Sequence, residues 1–301
     1  MQTNAAVANS EIQTKKRNSS SAGSQLKSYL RHPGSGILAL LTGVAAVLTF
    51  AVLLFLVGYI LVKGIPYLTP SLFSLEYNSE NVSMFPAIIN TIFMIVLSLL
   101  VAGPLGIFAA VYLVEYAKKG NKLVSVVRVT AETLTGIPSI VYGLFGMLFF
   151  VTTLRWGYSM LAGAFTLAIM VLPVIMRTTE EALLAVPDTY REASFGLGAG
   201  KLRTIFVVIL PSAVPGIFSG VILSIGRIVG ETAALMYTAG TVAELPDSVM
   251  SSTRTLSVHM YSLASEGLYV NQAYATAVVL LVIVLVINWL SGRIARKIKK
   301  G

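Results

Sequence analysis

No cysteine occurs among the 301 residues, which excludes disulfides, a thiol nucleophile and any cysteine-ligated zinc or iron-sulfur cluster. Histidine is nearly absent as well: His32 and His259 are too few for a buried metal cluster, so neither a metal nor another cofactor is expected. Charge is scarce, at 12% of residues against about 25% in soluble domains, while 55% of residues are hydrophobic and the mean hydropathy is +0.80. That balance excludes a water-soluble enzyme built round a single core and fits a chain that crosses a membrane several times. The net charge of +9 does not point to nucleic acid, because the basic residues flank apolar segments and form no stripe on a folded face.

What is abundant is long apolar sequence. Six runs are long enough to cross about 30 Å of hydrocarbon as helices: 37–62, 85–114, 133–154, 156–176, 205–230 and 270–290. Within a bilayer each backbone amide must be satisfied inside its own segment, and no ten-residue alternation argues for a barrel, so the fold expected is all-α with six transmembrane helices. Arg155 separates the third and fourth runs, predicting a tight hairpin that turns at Trp156 and Gly157. All but four of the 22 basic residues fall on one side of this topology, which puts both termini in the cytoplasm. Of those four, Lys63, Arg155 and Arg254 lie outside and Arg227 lies within the fifth run. The organisation expected is a polar, disordered, cytoplasmic leader over 1–36, an uncleaved first helix opening a six-span transmembrane domain over 37–290, and a basic cytoplasmic tail over 291–301.

Between the fourth and fifth runs, 177–204 is polar and amphipathic, with Ala182, Leu183 and Val186 and then Tyr190, Ala193 and Leu197 at helical spacings. Two short helices are expected, parted by Pro187, the second capped by Asp188 and ended by Gly196, Gly198 and Gly200. Such a knob either lies on the membrane surface or docks a partner. The Gly196 to Lys201 cluster is not a phosphate loop, because Phe195 and Leu202 stand where that motif needs Gly and Ser or Thr, and no strand precedes it. The chain is therefore expected to carry no ATPase site and no catalytic residue of its own.

Arg227 and Glu231 are the ionisable residues of the fifth run, and spacing of i and i+4 would set them on one helix face. They form either a fixed ion pair between helices or part of a water-filled anion path. On the second reading Glu231 either orients Arg227 or accepts a hydrogen bond from a protonated oxygen of the anion. Arg128 and Glu132 have the same spacing and read as a solvated pair, His259 as an interfacial residue. Gly136 and Pro138 interrupt the start of the third run, where the small Ser139 suits close helix packing at least as well as substrate contact.

One stretch carries a family resemblance. Glu192-Ala193-Ser194, then Gly198, then Val208-Ile209-Leu210-Pro211 resembles the EAA loop of binding-protein-dependent ABC transporter permeases, with Ser194 for Ala and Val208 for Ile as its departures. Thr135 to Gly146 and Gly226 to Ala233 are similar to phosphate-specific permeases, and Ala234 to Gly240 with Leu256 to Ala264 to their A-type subunit. The resemblance implies the type I importer permease fold and a multi-pass place in a bacterial or archaeal cytoplasmic membrane. It further implies an assembly with two copies of an ABC ATPase, a homologous C-type permease and an extracytoplasmic phosphate-binding protein. Glu192, Ala193, Ser194 and Gly198 would couple to the ATPase, while Arg227, Glu231, Thr232 and Ser139 would line the phosphate pathway. The binding protein would dock on the external loops 63–84 and 232–269, which carry Glu76, Glu80, Glu244, Asp247 and Glu266. A permease for phosphonate, sulfate or molybdate is the rival the loop alone leaves open.

Overall fold

The computed structural model describes residues 33–118 and 120–298, so most of the expected leader and the last three residues of the tail lie outside the described residues. Among them the chain is helical and contains no strand. Five helices are long and apolar enough to cross a membrane, or six if one bent pair counts as a single span.

The first helix, α1 (Pro33–Gly64), is apolar on every face, so its side chains meet hydrocarbon or another chain rather than water. Contacts divide the chain at Tyr59, and the rest of the architecture belongs to the unit from Ile60 onward. There α2 (Phe85–Val111), α5 (Met160–Leu184) and α8 (Leu210–Gly230) form the central layer. Small residues let them approach: a Cβ on Gly106 would sit 2.9 Å from Ile175, and one on Gly220 would collide with Thr178. Met94, Leu167, Met170, Ile175, Ile228 and Leu235 fill the middle of this layer. Leu113, Leu183, Ile205 and Ile209 fill the end where α2 finishes. Leu72, Met84, Leu256 and Leu263 fill the end where it starts.

The third apolar run is not one straight helix. Its first residues end α3 (Lys122–Thr135), and α4 (Ser139–Gly146) leaves at 103° to that helix. Pro138 has no amide to continue α3 and sits in extended backbone at the start of α4. A π-turn over Met147–Thr153 prolongs the apolar limb to 15 residues, and with α3 it makes the bent pair that counts as the sixth span. The hairpin after it is present, with Arg155 (φ 57°) and Gly157 (φ 65°) both left-handed. Ser159 then caps α5, accepting the Ala162 amide at 3.2 Å, and α5 continues as one helix to Leu184. The first of the two short helices expected after residue 177 is thus the end of α5, and only α6 (Asp188–Gly196) is separate.

Beyond α8 come the one-turn α9 (Ala233–Met236), then α10 (Leu256–Glu266) and α11 (Val270–Ile298). His259 on α10 is wholly buried rather than interfacial, with the Tyr77 ring edge-on at 6.3 Å and the Arg254 guanidinium 4.7 Å over that same ring. Neither ring nitrogen makes a well-formed hydrogen bond among the described residues. Burial, and after it the charge of Arg254, push the imidazole pKa from 6.5 down to about 3, the nearby Val82 backbone acting weakly the other way. The unfolded ring protonates first, so stability present above pH 6.5 is lost as pH falls toward 3. The melting temperature of the purified protein is expected to drop across that interval, and His259→Leu to flatten the drop. An unchanged slope in the variant would remove His259 as its cause.

Candidate functional site

Arg227 lies on the last turn of α8, half-buried, and makes no ion pair among the described residues. It lines a cavity of about 600 Å³ together with Arg177, Thr135, Thr178, Glu181 and Asn288. Arg177 is placed there because α5 carries on past its apolar stretch. Its Nε donates to Glu181 at 3.2 Å and its Nη1 to Glu132 on α3 at 3.3 Å. Two guanidiniums therefore reach one cavity, one partly offset by carboxylates and the other not. Glu132 is held by Arg177 and Arg128 by Glu180, so the expected pairing of Arg128 with Glu132 gives way to two pairs that tie α3 to α5.

Glu231 does not share a helix face with Arg227. The helix stops at Gly230, and Glu231 is extended (φ −74°, ψ 126°) and buried. Its Oε1 accepts the Ala234 amide at 3.0 Å, while its carbonyl accepts the Ser257 hydroxyl at 2.6 Å. The free amides at the start of α9 attract the carboxylate more than continued helix would, because a helix N-terminus favours negative charge. Thr232 donates back to the Gly230 carbonyl at 3.5 Å, and Ser139 opens α4 half-buried. Glu231, Thr232 and Ser139 are not among the residues lining the Arg227 cavity, whereas Thr135 is.

The knob is α6 with the turn that follows it. Glu192 and Ala193 are exposed, and Leu197 is 89% and Leu202 65% exposed, so an apolar rim stands clear of the body. Gly198 reverses the chain at φ 80°, a backbone region that side chains seldom adopt. Ser194 faces inward instead: buried, its hydroxyl lies 2.8 Å from that of Thr204 on α7 (Lys201–Thr204) and locks the turn. Asp188 does not cap α6 but accepts from Arg191 at 3.1 Å.

Arg191 is the residue the sequence did not single out. Its Nε and Nη2 donate to Glu115 at 3.1 and 2.7 Å, and further bonds reach the Val186 and Leu183 carbonyls at 2.9 and 3.1 Å. Glu115 belongs to a π-turn (Tyr112–Tyr116) that extends α2, and the wider turn lets its carboxylate face the knob. The pair is nearly closed off, with side-chain exposures of 15% and 9%. Only the spacing from Asp188 to Arg191 hinted at it, and Glu115 lies too far along the chain to be seen.

The model of the family described as binding-protein-dependent transport system inner membrane component matches residues 102–300. The chain belongs to that family. Among its relatives, a probable ABC transporter permease protein YqgI of Bacillus subtilis is 34% identical over 283 residues, 85% of this chain and 94% of that protein. A phosphate transport system permease protein PstA of Haemophilus influenzae is 31% identical over 267 residues, 87% and 94% of the two chains. A chain of a bacterial alginate ABC transporter shares the fold with a TM-score of 0.67 at 17% identity, covering 90% of this chain and 98% of that one. The permease is thus a multi-pass inner-membrane transport component of the type I importer fold. In such systems ATP is hydrolysed by a separate subunit.

Proposed function

We propose that this permease imports inorganic phosphate, released by an extracytoplasmic phosphate-binding protein and driven by two copies of an ABC ATPase. A homologous C-type permease completes the pathway, and both termini lie in the cytoplasm. The observation that carries the reading is the cavity holding Arg227 and Arg177: two guanidiniums, each a planar fork of donors, suit an oxyanion. The names of the relatives that are phosphate permeases support phosphate among oxyanions. The basic character of the knob end supports its cytoplasmic placement. Alternating access then follows from ATPase closure on the knob, rocking of the central layer and exchange of the cavity between the two sides.

The reading is tested by extracting the assembly from its membrane and assaying reconstituted vesicles. Recovery of an ATPase and a second permease, with ATP-dependent uptake of phosphate exceeding that of sulfate, is expected. A lone homo-oligomer would overturn the importer, and preferred uptake of sulfate, phosphonate or molybdate would overturn the substrate.

The knob yields a narrower expectation. Nothing crowds a Cβ at Gly198, so Gly198→Val should strain only the left-handed turn and misplace Leu197 and Glu192 while the membrane helices assemble. Uptake should fall at least about tenfold while ATP turnover persists. Parental uptake in that variant would remove the turn from the coupling surface.

A further inference from the structure

A second cavity, of about 610 Å³, opens beside the C-terminal end of α2, between Ala117, Lys118, Gly120 and Asn121, α3 and the end of α5. Its polar wall carries Lys118, Lys122 and Arg128, its other wall Leu113, Val114 and Leu184, and among the described residues no acidic one lines it. Arg128 is neutralised by Glu180, but Lys118 and Lys122 make no ion pair among the described residues. The cavity is therefore net cationic on one side and apolar on the other. It belongs to neither site above, since Arg227 and α6 contribute nothing to its lining.

Its surroundings fix the kind of molecule that suits it. Tyr112 and Tyr116 are exposed at the end of the apolar span Phe85–Tyr116, and aromatic residues of that kind are favoured at a membrane boundary. Lys201 lies 4.8 Å over the Tyr116 ring, adding positive charge at the same level. From there α3, set at 103° to α4, exposes Leu123, Val126, Val127 and Val129. Those residues would be costly in water, whereas an amphipathic helix along the boundary buries them among acyl chains. A cationic pocket at the membrane boundary, continuous with an apolar helix face, matches a ligand that is anionic at one end and hydrocarbon at the other.

We infer that this cavity holds the headgroup phosphate of an anionic phospholipid, with Lys118 and Lys122 as its charge partners and the acyl chains along α3. A lipid bound there touches α2, α3 and α5, the last two of which the ion pairs of Arg128 and Arg177 also join. A soluble ATPase would use the charges but leave the valine face uncovered, and free inorganic phosphate would use neither apolar surface.

The test compares the full-length permease, extracted with its associated subunits, with the Lys118→Gln/Lys122→Gln variant. After delipidation, each is returned to vesicles of phosphatidylcholine alone or with phosphatidylglycerol, re-extracted, and its retained lipid counted by native mass spectrometry. The parent should retain phosphatidylglycerol and not phosphatidylcholine. The variant should lose phosphatidylglycerol at least about tenfold, with Lys118→Arg/Lys122→Arg keeping it. Subunit recovery and melting temperature, unchanged in the variant, show that it folds. Equal retention by parent and Gln variant would overturn the inference. Displacement of the lipid by millimolar inorganic phosphate would overturn it in favour of a free anion. Loss of the ATPase from the variant with lipid retention intact would assign the charges to that subunit instead. Because the readout is bound lipid and not uptake, it stands or falls apart from the identity of the transported substrate.

Discussion

Arg227→Gln is expected to lower phosphate uptake by at least about a hundredfold, the scale of leaving a desolvated anion without its charged partner. The side chain sits half-buried in the cavity and makes no ion pair among the described residues, the one carboxylate in the lining, Glu181, being bound to Arg177, so its charge is available to an oxyanion. Glutamine keeps two donors but no charge. Arg227→Lys should recover only part of the loss, because a compact ammonium restores the charge without the planar fork. Arg177→Gln should cost less than Arg227→Gln, since Glu132 and Glu181 already occupy its donors. ATP turnover by the assembly should continue in all three variants, as none touches the knob. Normal uptake by Arg227→Gln would move the pathway away from this cavity.

The capping role of Glu231 changes what its substitution should do. As a side chain facing the anion, its neutralisation would alter discrimination between phosphate and sulfate. As the acceptor for the Ala234 amide it acts on α9, and Glu231→Gln retains an oxygen in that position. Helix periodicity across Gly230 was the source of the earlier expectation, and periodicity says nothing about where a helix stops. Gly230 ends the helix while still in helical conformation, so it is no left-handed cap that the sequence would have announced.

The same distinction separates the rest of what could be read in the chain from what could not. Apolar length carries over directly into spans, because hydrocarbon forces each backbone amide to bond within its segment. The chain reversal at Gly198 was legible for a similar reason, since few residues but Gly adopt its φ of 80°. The break at Gly136 and Pro138 was visible as an interruption but not as a right-angled turn, which depends on α3 finding ion pairs along α5. Ser194 stands at a motif position, as a departure from Ala, yet turns inward to Thr204, because a place in a motif does not say which side of a short helix faces a partner. Arg177 looked like one more positive loop residue. It reaches the cavity only because α5 runs on to Leu184, which hydropathy could not reveal once the polar residues began.

The junction of the knob with α2 is where the second large effect is expected. Arg191 gathers Glu115, Asp188 and two carbonyls around one guanidinium, so any displacement of α6 pulls directly on the end of α2. α2 in turn packs along α5, which bears Arg177, so the linkage runs unbroken from the ATPase-facing surface proposed for the knob to the cavity. Breaking a largely buried pair by removing one partner costs about 3 to 5 kcal/mol, because the other charge is left desolvated. Arg191→Ala should therefore weaken assembly as well as uptake and cannot by itself separate the two. Arg191→Lys and Glu115→Gln are the informative variants: each keeps most of the volume, but lysine cannot reach several acceptors at once and glutamine carries no charge. Both should retain near-normal subunit recovery and ATP turnover while uptake per ATP falls about tenfold or more. The double variant should be hardly worse than either single, the non-additivity expected when two residues act as one connection. If the two losses added, or if ATP turnover fell in proportion to uptake, Arg191 and Glu115 would hold the fold together without transmitting the movement of the knob.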